Sequence, residues 1–483
     1  MTEIPAVSRN VIDNADVAAE GDARIAVEDP ATARTLAEAP RAAAPDVDRA
    51  VRAARACADA GTLSEMPPAE RAALMHRLAG EVRALAADGG ELLCRESGKP
   101  LAHARGEFDE AARYFDYYGG LADKLEGRSI PLGEGYLDYT VAEPYGVSAQ
   151  IVPWNFPVAI AARSLACALA TGNASVIKAP EEDPLALLLL GRAVARAGIP
   201  AGAVNIVCGT GEAAGAALVN HPGVDQIVFT GSVPTGQSIL HAAAERVVPC
   251  VMELGGKSAA VVCEDADLDE VVASVRSGIF ANAGQICSAM SRLVVPERLR
   301  ARALEAVVEL SRGLSIGPGI EDHDLTPLIS AEQLDRVEND CLAAEQEGAR
   351  VATGGRRVAD SAGHFMQPTV LDGVTPDMTV ARKEIFGPVL SVQTHDGLDD
   401  AVRLANATDY GLCAGVFTHD LTRAHWAARR LRAGQVFVNE WFAGGVETPF
   451  GGTGKSGFGR EKGQEALLNY LQTKNVAVRL SPR

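Results

Sequence analysis

The sequence holds no C-x-x-C pair and no H-E-x-x-H. Its nine histidines fall at no other metal-ligand spacing, so no metal centre is expected. Its nine cysteines are odd in number and scattered, which sets out no disulfide framework and reads as reduced thiols in a cytoplasmic protein. Long apolar runs are absent: the longest, Leu185–Leu190, falls far short of the ~20 residues of a membrane span. Met1 to Glu20 mixes Glu, Asp and Arg without an apolar stretch, so no signal peptide is expected. Positive charge is in deficit, with 45 Lys and Arg against 63 Asp and Glu, a net charge of −18. A surface of that sign repels phosphate backbones and anionic lipids, so neither nucleic acid nor membrane is an expected partner. A nucleotide is still compatible, because a pocket can present backbone donors against the global sign. No internal repeat and no low-complexity segment stands out.

What is present is a globular composition, 47% hydrophobic and 22% charged, over 483 residues. That length suggests about two to four domains. Leu74, Leu78, Val82 and Leu85 share one face of a helix expected from Pro68 and ended by Gly89-Gly90. From about residue 147 short apolar runs alternate with helical segments: 147–152, 174–177, 203–207, 226–229 and 259–262, with helices beginning near Pro157, Pro184, Glu212 and Pro234. The alternation resumes after Cys287, with runs at 293–295, 388–392, 413–417 and 435–439. Buried strands alternating with helices predict an α/β protein of two wound, mainly parallel lobes meeting near residue 254. Residues 1–23 read as a loose lead-in. The hairpin-like stretch 128–144 and the strand-like tail 474–481 stand outside both lobes, and such strands need a partner, either each other or another subunit.

Two GKS tripeptides, at Gly256 and Gly454, are not P-loops, because Val251 and Pro449 stand where the first glycine is needed. Gly209-Thr210-Gly211-Glu212-Ala213-Ala214 fits a relaxed G-x-G-x-x-A turn after a strand; a tight strand–helix turn accounts for it equally. In the turn 229–236, Gly231, Ser232 and Gly236 can hold a pyrophosphate on a helix N-terminus, or Ser232 can be an ordinary helix cap. Cys287 sits in Asn-Ala-Gly-Gln-Ile-Cys-Ser, among small residues that let a ligand approach. Taken singly a buried cysteine is usually inert packing, and what raises Cys287 is its company. Glu253, at an apolar strand end beside Gly255 and Gly256, can act as a general base if burial raises its pKa. Asn155, in Pro-Trp-Asn-Phe-Pro at another strand end, is an amide suited to an oxyanion, and the same segment also reads as a turn with core aromatics.

Together these residues carry a resemblance. PWNFP at 153–157, Lys178-Ala-Pro-Glu181, FTGSxxxG at 229–236, ELGGK at 253–257, GQxC at 284–287, EIFGPV at 384–389 and PFGGxxxSGxGRE at 449–461 occur in order. In these the chain resembles the aldehyde dehydrogenase superfamily almost end to end. The resemblance implies a Rossmann-like NAD-binding domain (1–127 and 145–254), a catalytic domain (255–466) and a small β oligomerisation element (128–144 and 467–483) in a homodimer or homotetramer. It implies an aldehyde substrate oxidised to the acid through a thiohemiacetal and thioester on Cys287. Asn155 and a backbone N–H then hold the oxyanion, and Glu253 activates the hydrolytic water. Trp154, Lys178, Glu181, Gly211, Gly231, Ser232, Gly236, Glu384 and Phe386 are implied cofactor contacts, with Glu181 favouring NAD over NADP by repelling a 2′-phosphate. Relatives that pass the acyl group to coenzyme A lack the base, so hydrolysis is the expected outcome here.

Arg163 stands where many members carry an aromatic residue. An arginine there occurs in succinate-semialdehyde enzymes, where it pairs with the substrate carboxylate, and in aromatic-aldehyde enzymes; a structural ion pair is the third reading. Ala281 replaces the second arginine of the semialdehyde group. Trp441 and Phe442 add aromatic surface, so the preferred expectation is an aromatic or bulky aldehyde, with a carboxylate-bearing aldehyde as the alternative. A non-catalytic binding protein on the same fold is the competing function, and the presence of Cys287, Glu253 and Asn155 argues against it.

Overall fold

The computed structural model describes residues 8–480. In the first lobe, parallel strands lie in the order Cys250–Glu253, Gln226–Thr230, Val147–Ile151, Ala174–Ala179, Val204–Cys208. Their residues are almost all buried, as expected of parallel strands covered on both faces by helices. Chain order reverses between Val147–Ile151 and Gln226–Thr230, which opens a crevice outside the carboxyl ends of these strands.

Helix Pro157–Thr171 follows the first of them. Proline suits its first turn, Gly172 at φ 90° closes it, and every one of its residues is buried. A helix buried all round must find partners for its polar side chains, a demand that falls on Arg163 and Ser164.

The loose lead-in expected over residues 1–23 is corrected. Asn10–Ile12 and Ala15–Val17 form a hairpin that extends the first sheet antiparallel from Val204–Cys208, turning through Asp13 and Asn14 at φ 56° and 59°. Each strand has only three residues, too few to show alternation; residues 1–7 lie outside the described residues. A second hairpin, Arg24–Asp29 with Arg34–Pro40, follows. Gly89-Gly90 does not end the helix from Pro68. That helix stops at Ala84, and the next, Ala86–Ser97, contains both glycines. They are packing glycines: a Cβ on Gly89 would lie 2.5 Å from the Phe108 ring, and one on Gly90 2.5 Å from Arg105.

In the second lobe the order is Arg350–Thr353, Thr369–Asp372, Val389–His395, Arg292–Pro296, Ala259–Val262, Cys413–Phe417, Gln435–Val438, all parallel except the first. Gly457–Phe458 returns to the first lobe and pairs antiparallel with Met252 and Glu253, and Ala466, Leu467 and Tyr470 are buried in the first lobe's core. The two segments outside the lobes pair with each other: Leu471–Arg479 runs antiparallel to Tyr136–Pro144, with Ser129–Ile130 beyond. No helix among the described residues is long and apolar enough to cross a membrane.

Candidate active site

Glu253 and Thr230 end their strands, Lys178 lies one residue from the end of its own, and Trp154-Asn155 follows Val147–Ile151 closely. All therefore gather at the carboxyl edge of the first sheet. The second lobe contributes Cys287 from the loop between Ala281–Gly284 and Arg292–Pro296.

The turn Ala281–Gly284 that leads into this loop is strained. Asn282 and Ala283 take φ of 48° and 51°, and Gly284 takes 73°. A Cβ on Gly284 would collide with the Gly387 carbonyl, so this position requires glycine for space as well as for φ. Two non-glycine residues in the left-handed region cost energy that the surroundings must supply. Gln285 supplies some of it: its Nε2 donates to the Asn282 carbonyl at 3.2 Å, and its Oε1 accepts from Ile329 N–H at 3.0 Å. The glycines after Glu253 have the same logic. A Cβ on Gly256 would lie 2.5 Å from the Cys287 carbonyl, and one on Gly255 would run into the Glu384 carboxylate. The Gly-Gly of ELGGK is where the cysteine loop and Glu384 press onto the strand end.

A cavity of about 550 Å³ lies between the lobes, and Asn155, Arg163, Cys287, Phe442, Phe450 and Lys462 are on its wall. Asn155 is 5% exposed, and its Nδ2 donates one hydrogen to the Gln285 carbonyl at 3.0 Å. The second amide hydrogen is left for the cavity. Its own carbonyl accepts from Lys99 Nζ at 2.9 Å. Lys99 is in turn buried against Glu107 at 2.5 Å, and Glu107 caps helix Pro157–Thr171 by accepting from Val158 N–H at 2.9 Å and Ala159 N–H at 3.1 Å. One ion pair thus fixes both Asn155 and the helix behind it.

Burial pushes the Cys287 thiol up to about 12, with the Glu384 and Glu253 charges adding to the shift and Arg163 opposing it. Glu253 does not border the cavity itself. It lies close enough for its charge to act on Cys287, is 2% exposed, and among the described residues has both carboxyl oxygens without a hydrogen-bond partner. Burial, then repulsion from Glu461, holds its pKa well above the usual carboxylate range.

On the cofactor side, Lys178 pairs with Glu181, and Glu181 Oε1 accepts from Gly211 N–H at 3.3 Å. Ser232 caps helix Val233–Arg246, accepting from Thr235 N–H at 3.4 Å. Gly231 packs under Phe229 and Gly236 under Leu254, where a Cβ would come within 2.5 and 2.7 Å. Gly211, by contrast, faces open space. Across the crevice, Glu384 accepts from Gly256 N–H at 3.0 Å, and burial pushes its pKa up to about 7. Trp154 meets Phe386 edge-on at 5.3 Å. Phe386 itself has φ 59° and is held by Gln333, whose Nε2 donates to its carbonyl at 2.7 Å. These residues gather along the carboxyl edge of the first sheet at its switch point: a helix N-terminus at Ser232, a Lys178–Glu181 pair, Glu384 and two aromatic rings, a set whose chemistry fits a dinucleotide.

Two expected substrate residues sit differently. Trp441 is not on the cavity wall. It is 6% exposed in the second lobe's core, and its Nε1 donates to the Ser288 carbonyl at 3.1 Å, so it steadies the peptide beside Cys287 instead. Arg163 borders the cavity, but its guanidinium is paired with buried Glu461, which also accepts from Ser164 Oγ at 2.9 Å. The structural ion pair, of the three readings, describes these contacts. Lys99, Glu107, Glu461 and Lys462 were not singled out from the sequence. Glu461 closes a quoted motif and could have been; Lys99 and Glu107 carry no local signal, because their partners lie across the fold.

A wound sheet with a crevice at its switch point, facing a loop cysteine from a second lobe, is the architecture of a nucleotide-dependent enzyme. The model of the aldehyde dehydrogenase family matches residues 17–476. The chain belongs to that family, whose reaction is the oxidation of aldehydes. It is 40% identical over 462 residues to a mitochondrial benzaldehyde dehydrogenase of Antirrhinum majus, covering 94% of this chain and 85% of that one. It is 41% identical over 437 residues to an aldehyde dehydrogenase of Aspergillus niger, covering 90% and 88%. Among solved structures, the NAD+ complex of a Bacillus cereus aldehyde dehydrogenase superposes with a TM-score of 0.97 at 38% identity, covering 99% of this chain and 98% of that one.

Proposed function

We propose that the protein is an NAD-dependent aldehyde dehydrogenase that forms the free acid, with Cys287 as nucleophile, Asn155 as oxyanion donor and Glu253 as hydrolytic base. The observation that carries this reading is the meeting of these three groups at the junction of the lobes: Cys287 and Asn155 on one cavity wall, Glu253 beside them with no partner of its own. The Cys287 thiol first releases its proton to solvent; the thiolate then adds to the aldehyde carbon, and the carbonyl oxygen becomes an oxyanion that the free Asn155 amide hydrogen receives. Such a donor is worth about 3–4 kcal/mol in a water-excluded site. NAD, when bound, supplies the hydride acceptor. Loss of hydride from the tetrahedral carbon leaves a thioester on Cys287. Glu253, once deprotonated, takes a proton from water; the hydroxide attacks the thioester and the acid leaves, returning the thiolate.

Lys178, Glu181 and Gly211 hold the adenosine end, Gly231, Ser232 and Gly236 the pyrophosphate, and Glu384, Phe386 and Trp154 the nicotinamide end. Glu181 at the ribose favours NAD over NADP by charge. NAD is also what the Bacillus cereus structure holds. The aromatic wall of Phe442 and Phe450, with Tyr114 and Phe156, suits an aryl or bulky aldehyde, and one relative is a benzaldehyde dehydrogenase.

The division into a cofactor lobe (1–127 and 145–254), a catalytic lobe (255–466) and an oligomerisation element (128–144 and 467–483) belongs to the same reading. Leu132, Tyr136, Leu137, Tyr139, Val478 and Leu480 are exposed on or beside the three-stranded sheet, an apolar face suited to a homodimer or homotetramer. Nine free cysteines suit the cytoplasm. The test is Cys287→Ala, which abolishes NAD reduction by aldehydes while NAD still binds, read by calorimetry; full turnover in this variant refutes the assignment.

A further inference from the structure

Five cationic or imidazole side chains border the aldehyde cavity: Lys99, His103, Arg113, Arg163 and Lys462. Lys99 is closed off by Glu107, and Arg163 by Glu461. Arg113 is well exposed and faces Glu447 at 4.0 Å. Lys462 differs from all of them. It is only 24% exposed, its Nζ makes no hydrogen bond among the described residues, and its nearest carboxylate oxygen, Glu110 Oε1, is 3.6 Å away. That oxygen already accepts the Tyr114 hydroxyl at 2.7 Å. The ammonium stands 5.9 Å from the centroids of both Tyr114 and Phe450, so it looks over aromatic surface rather than into water. Burial accordingly lowers its pKa from the ordinary lysine value.

The backbone carries a second observation. Lys462 takes φ 61°, a region that a lysine does not favour. Its neighbours impose it: Glu461 exchanges two hydrogen bonds with Phe450, at 2.6 and 2.7 Å, Gly463 N–H donates to the Val446 carbonyl at 2.8 Å, and the Gly463 carbonyl accepts the Tyr118 hydroxyl at 3.0 Å. The strained residue is therefore clamped so that its side chain reaches the same wall as Phe442 and Phe450. A strained position held by its surroundings, with a desolvated and weakly paired charge at its tip, is the arrangement expected of a ligand contact.

We propose that Lys462 is a specificity residue of the aldehyde cavity, receiving an anionic substituent, in the simplest case a carboxylate, borne on the apolar or aromatic body of the substrate. The proposal rests on the aldehyde-oxidising reading and narrows it. The carboxylate displaces Glu110 as the partner of Lys462, and Arg163 takes no part because Glu461 holds it. The preferred substrate is thus an aryl or similarly bulky aldehyde that carries negative charge away from its reacting carbon.

The test compares para-carboxybenzaldehyde with para-methylbenzaldehyde, similar in shape and differing in charge, with kcat/KM measured for each by NADH formation. The quantity read is the ratio of the two constants, which cancels any effect common to both substrates. Lys462→Met lowers this ratio about tenfold, Lys462→Arg retains most of it, and Glu110→Gln raises it by freeing the ammonium. A change of less than threefold in Lys462→Met overturns the proposal. Should that variant fail to fold, the Glu110→Gln ratio decides: an unchanged or lowered ratio overturns it equally. If the unaltered enzyme reduces NAD with neither aldehyde nor any other, the dehydrogenase reading itself falls; if it oxidises the methyl compound and only the ratio is unmoved, the Lys462 assignment alone falls.

Discussion

Replacing Glu253 by Gln keeps the volume of the side chain and removes its ability to give up a proton. Both oxygens of Glu253 are buried without partners, so no structural hydrogen bond is lost. The substitution therefore isolates the base. Positioned general bases contribute about 10²–10⁴-fold, which corresponds to roughly 3–5 kcal/mol of barrier. That loss falls on thioester hydrolysis. Rapid mixing with NAD and aldehyde should still give a burst approaching one NADH per site, followed by a steady state slower by that factor.

The pH dependence follows from the raised pKa. Turnover of the unaltered enzyme climbs with pH as buried Glu253 loses its proton, and the variant lacks this limb. Stability moves the other way. The native carboxyl stays protonated above the ordinary 4.5 at which the unfolded one ionises, so stability falls as pH rises from there until the raised native pKa is passed. Glu253→Gln should thus melt higher than the parent above pH 4.5, by a margin that grows with pH until the native pKa is passed. A variant that loses burst and steady state alike would move Glu253 to thiol activation, and one that keeps full turnover would remove it from the chemistry.

Lys99→Met leaves Glu107 buried and unpaired. Breaking such a pair from one side costs about 3–5 kcal/mol, so the melting temperature drops, and adding Glu107→Gln recovers part of the loss. For Glu384, the distance between the ordinary 4.5 and about 7 is worth roughly 3 kcal/mol, so Glu384→Gln should gain up to that much stability above pH 7 and little near pH 4.5. Melting curves across this range check it, and a pH-independent difference contradicts it.

The parallel strands of both lobes were legible because they are short, almost wholly apolar and separated by helices opening on proline: Cys413–Phe417 falls where its apolar run predicts, and Pro157 starts its helix. What escaped had a physical reason in each case. Asn10–Ile12 and Ala15–Val17 are too short for periodicity, although Asp13-Asn14 between them is a hairpin turn signal. Gly89-Gly90 has the composition of a stop and the environment of a helix contact, and only Phe108 and Arg105 tell the two apart. The chemistry-bearing residues were legible by motif, whereas the groups that hold them were not. Glu107 serves Lys99, Val158 and Ala159, and nothing in its own neighbourhood says so. An aromatic in a loop before Pro449 can face the cavity or the core, and for Trp441 the Ser288 carbonyl decides it.

The division between these groups has a physical basis. Two of the residues proposed to carry the reaction are unfavourable where they stand, Glu253 as a carboxyl buried without a partner among the described residues and Cys287 as a thiol whose ionisation burial opposes, and Asn282, Ala283 and Phe386 beside them lie in left-handed conformations. The residues around them make specific pairings. Lys99 with Glu107 and Arg163 with Glu461 are closed ion pairs, Gln285 bonds at both ends of its amide, and Gln333 and Trp441 each pin a carbonyl next to a strained or reacting residue. The well-paired shell compensates the unpaired centre. Removing a member of the shell should therefore lower stability first and activity as a consequence, whereas neutralising Glu253 should raise stability while it lowers turnover. Lys462 belongs with the centre on this criterion, since it is desolvated, strained and poorly paired, and that is the physical ground for assigning it to the substrate rather than to the scaffold.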